Sequence, residues 1–182
     1  VTKPDINGPG SNILAAYQNG VAPAPQLEFL SGTSMSAPHI SGAAALMVAA
    51  HPDWSPSEIK SAMMMTASYT SNKKDNGTDP ADADDIGSGT VDLTRAALAG
   101  LVMDETFANY LAANPGNSGD PKTLNIPSAR NQNCNPDCTW TRTVKTTMAE
   151  GTTWDISTET DGNFTLSVSS NEFSFAPDDV IF

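Results

Sequence analysis

Histidine, cysteine and basic side chains are all scarce in this 182-residue chain, which has two His, two Cys and nine Lys or Arg against 21 Asp or Glu. The formal charge of −12 repels phosphate backbones and anionic lipid surfaces, which argues against a nucleic-acid or membrane partner. Long hydrophobic runs are missing too: the longest, Ala43 to Ala50, falls far short of the roughly 18 residues that span a bilayer. So few cysteines exclude a disulfide-stapled scaffold. Cys134 and Cys138 flank an Asn-Pro turn, and one local bridge suited to an oxidising compartment is the preferred reading, two free thiols the alternative. Two thiols do not complete a zinc site, and no residue is assigned to a metal.

What is present is concentrated in Ser31 to Leu46, SGTSMSAPHISGAAAL. Gly32 permits a tight turn and close approach of another chain, and Ser34 sits at the entrance of a helix expected to run through Ala50. Pro38 is expected in the first helical turn, where its missing N–H costs nothing. The first-turn N–H groups lack intrahelical partners and the helix dipole is positive there, so an oxyanion formed by attack of Ser34 on a carbonyl would meet ready donors. Gly42, Ala43, Ala44 and Ala45 would let the helix lie close to its neighbours, as a buried central helix.

The segment GTSMSAPH, with Ser34 as nucleophile, resembles the serine motif of the subtilisin-like serine proteases. KPDINGPGSNILAAY, Lys3 to Tyr17, resembles the lead-in to that motif in the branch with an inserted protease-associated domain, and Gly87 to Leu98 continues the likeness. Asn7 and Gly8 stand where small or hydrophobic residues are commoner, a difference of loop detail. The resemblance implies an α/β fold, the C-terminal part of a doubly wound three-layer domain, and peptide-bond hydrolysis through an acyl-enzyme on Ser34. Gly32 and Thr33 would line the cleft near the acyl group.

A serine hydroxyl needs a base and a group that orients the base. In the subtilisin order the aspartate and histidine precede the serine, yet only Asp5 and Glu28 are acidic before Ser34 and no histidine precedes it. His39 lies on the same helix, rotated from Ser34 by about 140° and displaced by roughly 7.5 Å. It points the wrong way for a base and is read as packed and hydrogen-bonded beneath the nucleophile. His51, after the helix, is expected to be structural and solvent-exposed. The chain, which starts without methionine and without a secretory h-region, therefore reads as the C-terminal portion of a larger secreted protease. The missing triad members and any leader would lie upstream. Alone it is expected to be inactive, since losing the histidine costs on the order of a millionfold in kcat, a magnitude measured on subtilisin itself.

Residues 1–114 are expected to be largely helical. Ser55, Pro56 and Glu58 form an N-cap, a first-position proline and a capping-box acid ahead of Ile59, Ala62, Met63 and Thr66 on one face. Met63, Met64 and Met65 read as core filling. The loop Ser71 to Ser88 carries Asp79, Asp82, Asp84 and Asp85, a solvated acidic loop in which structural calcium is a secondary reading. Helices are expected near Val91–Ala99, closed by Gly100, and from Asp104. After the linker NPGNSGDP the period becomes two, around Trp140 to Val144, Trp154 to Ile156, and Phe164, Leu166 and Val168. Residues 121–182 resemble the opening of a fibronectin type III-like β-sandwich, with strands missing.

Asn76-Gly77-Thr78 and Asn163-Phe164-Thr165 fit a glycosylation pattern that recurs by chance, and the sequence alone gives them no weight. Met35, next to the nucleophile, is a site of oxidative sensitivity. The leading expectation is a protease acting on proteins or peptides with the upstream part of the same molecule. The alternative is a non-catalytic structural or adhesion module in which Ser34 is a relic.

Overall fold

The computed structural model describes residues 2–18, 20, 26–69, 72–74, 76–160, 162, 164–176 and 179–181. It opens with an antiparallel hairpin of β1, Ile13–Tyr17, and β2, Gln26–Leu30, in which Ile13 faces Leu30 and Tyr17 faces Gln26. Leu27 and Phe29 alternate with Gln26 and Glu28, as a strand requires, yet both stay largely exposed. Ser31 and Gly32 then turn the chain into α1, Thr33–Ala50.

Only Ala43 and Met47, one turn apart, are buried on α1. They meet Ile59, Ala62 and Met63 of α2, Pro56–Met65, together with Ala96, Ala99 and Val102. The expected buried central helix is thus corrected. Its small residues permit close packing, but Leu46 and Val48 on its other sides remain exposed. Helix α2 starts as its sequence demands: the Ser55 hydroxyl accepts from the Glu58 amide and the Glu58 carboxylate accepts from the Ser55 amide. Met63 and Met64 are buried while Met65 is exposed.

Two short helices follow, α3 (Ala83–Ile86) and α4 (Leu93–Ala96), then β3 (Leu101–Val102) and α5 (Phe107–Ala112). The last two helices are shorter than expected because their caps fall late: Asp92 accepts from the Arg95 amide and Thr106 from the Asn109 amide. Beyond two 3₁₀ turns come β4 (Val144–Thr146), β5 (Thr152–Asp155), β6 (Glu172–Phe175) and β7 (Val180–Ile181).

The strands are ordered β1-β2, β3-β4-β7 and β5-β6, all antiparallel. Parallel pairing among the described residues is confined to one bridge, Asn7 with Thr90. A doubly wound parallel sheet needs a strand between successive helices, and here α1 to α4 follow one another without one among the described residues. The period-two segment around Phe164, Leu166 and Val168 forms no strand among the described residues, and all three side chains are exposed. Alternation marks a strand only where another strand pairs with it and a surface packs on it.

Residues before and after the linker are joined directly. β3 pairs with β4, Val102 opposite Lys145, and the Lys145 ammonium meets the buried Glu58 carboxylate at 2.8 Å. Beside them the buried Glu105 carboxylate accepts from the amides of Thr106 and Asn125 and from the Asn109 side chain. Arg142 donates to the carbonyls of Ile126 and Ser128. Burial holds its guanidinium below the usual arginine value, and Glu105 partly offsets this.

Candidate functional site

Ser34 is the second residue of α1 and is exposed. Gly32 caps the helix at φ 152°, in the region that favours glycine, and no side chain caps it. Its carbonyl accepts from the amides of Met35 and Ser36, at 3.0 and 3.2 Å. The amides of Thr33 and Ser34 take no partner among the described residues. Two free donors and the positive end of an 18-residue helix therefore share the first turn with the exposed Ser34, a setting that favours negative charge on an adjacent oxygen.

Pro38 lies further in than expected. Because α1 begins at Thr33, this proline occupies the second turn, where it removes the bond the Ser34 carbonyl would otherwise accept.

The helix entrance rests on the segment that precedes it, in which Gly8 looks from the sequence like loop detail. The Gly32 amide donates to the Gly10 carbonyl at 2.8 Å, the Ser36 hydroxyl to the Gly8 carbonyl at 2.9 Å, and the Asn12 amide to the Ser31 hydroxyl at 2.8 Å. A side chain on Gly8 would start 2.7 Å from Ile40, and one on Gly10 would start 2.8 Å from the Gly32 carbonyl oxygen. Gly10 is set by close approach of backbone and Gly8 by the Ile40 and Ser36 side chains packed over it, and no local sequence signal marks either. Asn7 anchors the other end of this loop. Its amide donates to Gly89, its carbonyl accepts from Val91, and its side-chain amide donates to the Thr90 hydroxyl.

The two histidines stay apart from this chemistry. His39 donates from Nδ1 to the Met35 carbonyl at 2.8 Å, as a hydrogen-bonded role requires, but it is exposed rather than packed. His51 is half-buried instead of solvated, because its ring stacks on Trp54 at 3.8 Å and its Nε2 donates to the Ala97 carbonyl. The acidic loop is engaged with this chain's own cations. Asp82 and Asp85 pair with Lys74, and Asp84 with Arg130. No three His, Cys, Asp or Glu side chains converge as a metal cluster among the described residues. Cys134 and Cys138 are disulfide-bonded. Two surface concavities, one beside Trp140 and one beside Tyr110, are both lined by residues other than Ser34.

This arrangement, an exposed serine on a glycine-capped helix braced by an upstream loop, lies within a stretch that a known family describes. Residues 1–89 match the subtilase family. The matched stretch includes the bracing loop, α1, α2 and the turn through Gly89. Among curated proteins, the chain is 41% identical to the Arabidopsis thaliana subtilisin-like protease SBT1.6, over 69% of this chain and 18% of that protein. It is 33% identical to the CO(2)-response secreted protease of the same plant, over 98% of this chain and 28% of that protein. The chain therefore spans less than a third of these relatives' length, 18% of one and 28% of the other. Among solved structures, fervidolysin from Fervidobacterium pennivorans aligns with a TM-score of 0.39 at 26% identity, covering 52% of this chain and 15% of that one. No helix among the described residues is long and apolar enough to cross a membrane.

Proposed function

We propose that this chain is the nucleophile-bearing C-terminal portion of a secreted subtilisin-like serine endopeptidase. The observation that carries the reading is the exposed Ser34 in the first turn of α1, beside amides that take no partner among the described residues. Ser34 attacks the scissile carbonyl of a bound peptide, and the resulting oxyanion is met by first-turn N–H groups. An acyl-enzyme forms as the amine leaves, and water then releases it. Gly32 and Thr33 flank the acyl group. The histidine that takes the Ser34 proton and the aspartate that orients it come from an upstream part of the same protease, which also completes a doubly wound three-layer domain over the exposed sides of α1. The chemistry requires no cofactor, and calcium would serve structure only.

Residues 121–182 belong to an incomplete fibronectin type III-like sandwich, of which β4 to β7 are part. The acidic charge and the single disulfide suit an extracellular protein whose partners are protein substrates.

Labelling with a fluorophosphonate tests this. The complete protein should be modified at Ser34 and Ser34→Ala should lose the label, while the isolated 182-residue chain should label weakly or not at all. A complete, folded protein that stays unlabelled would instead favour the non-catalytic adhesion or structural module.

A further inference from the structure

The sequon Asn76-Gly77-Thr78 occupies the tip of a small hairpin-like loop. Lys73 bridges Pro80, the Lys74 amide donates to the Asp79 carbonyl at 2.9 Å, and the Gly77 amide donates to the Lys74 carbonyl at 2.8 Å. Residues 76–80 are all exposed, and Gly77 takes φ 72° so that the chain can reverse. The other sequon begins at Asn163, which lies outside the described residues.

The hydrogen bonds of Asn76 leave room for a substituent. Its Oδ1 accepts from the amides of Thr78 and Asp79, at 3.1 and 3.0 Å, and its Nδ2 donates one hydrogen to the Asp79 carboxylate at 2.8 Å. An amide nitrogen carries two hydrogens, so the second is free to be replaced while all three bonds persist. We propose that Asn76 is an acceptor for an asparagine-linked glycan. In the transfer, Nδ2 loses one hydrogen and bonds the anomeric carbon of a sugar delivered by a polyprenyl-pyrophosphate-linked oligosaccharide. The pyrophosphate leaves with the bonding electrons and the displaced proton passes to solvent. The remaining N–H keeps its bond to Asp79, so the turn survives modification. The glycan then projects from a loop tip, where added bulk is best tolerated.

The inference rests on the secretory reading in one respect, that the protein meets the transfer machinery. The experiment separates the two. The complete protein is expressed in a eukaryotic host, once behind its own upstream sequence and once behind a supplied secretion leader. It is then deglycosylated by peptide-N-glycosidase in heavy-oxygen water and mapped by mass spectrometry. The expected result is heavy-oxygen conversion of Asn76 to aspartate, lost in Asn76→Gln and Thr78→Ala and retained in Thr78→Ser. Conversion only behind the supplied leader upholds the acceptor and refutes secretion. Recovery of the Asn76 peptide solely unmodified from material that entered the secretory route overturns the proposal, whatever the variants do.

Discussion

Gly10→Ala is the substitution that most directly tests how the helix entrance is held. A methyl there would start 2.8 Å from the Gly32 carbonyl oxygen and 3.1 Å from the Ser36 Cβ, and neither neighbour can turn aside, since one is backbone and the other is anchored in α1. Overpacking of this kind costs on the order of 1–3 kcal/mol. Relief by separation would break the hydrogen bond from the Gly32 amide to the Gly10 carbonyl, worth about 1 kcal/mol. The total is about 2–4 kcal/mol, and on the proposed function a shift of about 1 Å at Ser34 lowers reaction rates by roughly a hundredfold. In the complete protein, Gly10→Ala should therefore lower the thermal midpoint and slow fluorophosphonate labelling of Ser34. Gly42→Ala is the matched control. A side chain there would meet nothing within 4 Å, so alanine in this helix interior should add about 1 kcal/mol of stability and leave labelling unchanged. A Gly10→Ala protein that labels at the wild-type rate would refute the bracing argument.

Asp5 gives a pH-dependent prediction. Burial opposes its charge, but Lys3 at 2.5 Å and Lys60 at 3.0 Å outweigh that and hold the carboxyl below its ordinary value of 3.8. A depressed folded-state pKa stabilises above the ordinary value and loses that contribution as pH falls through the folded-state value. Asp5→Asn should thus cost about 1 kcal/mol near neutrality, a difference that shrinks as acid denaturation profiles run below about pH 4; a pH-independent difference would contradict this. Met35 is half-buried, with its sulfur 4.0 Å from where a Gly32 side chain would begin. If the proposed activity holds, peroxide should depress fluorophosphonate labelling of the complete protein by placing a polar sulfoxide there, and a Met35→Ala form equally sensitive to peroxide would rule out this route.

The parts of the fold written in local chemistry were legible. The α2 capping box, the run of α1 and the exposed Ser34 all follow from residues within one or two turns of one another. The hairpin of β1 and β2 is only weakly announced, since Leu27 and Phe29 alternate with polar neighbours but both stay largely exposed and no buried face reinforces the period. The roles of Gly8, Gly10 and Ser36 could not be read locally. They depend on a contact between residues about 20 to 30 positions apart, and a glycine that serves close approach looks in sequence like any other loop glycine. The burial of His51 is equally hidden from local reading, since Ala97, its acceptor, is 46 residues away. The segment around Phe164 shows the converse failure, in which a correct period finds no strand to pair with.

The union of β3 with β4, reinforced by Lys145 reaching back to Glu58, bears on how the chain would respond to cutting. A nick between Asn114 and Pro121 severs the covalent path but not this clasp. The two pieces should travel together through a sizing column and part only when urea opens the strand pair. Endoproteolysis at the linker would then escape native sizing, and by that method cleaved molecules would be counted as whole.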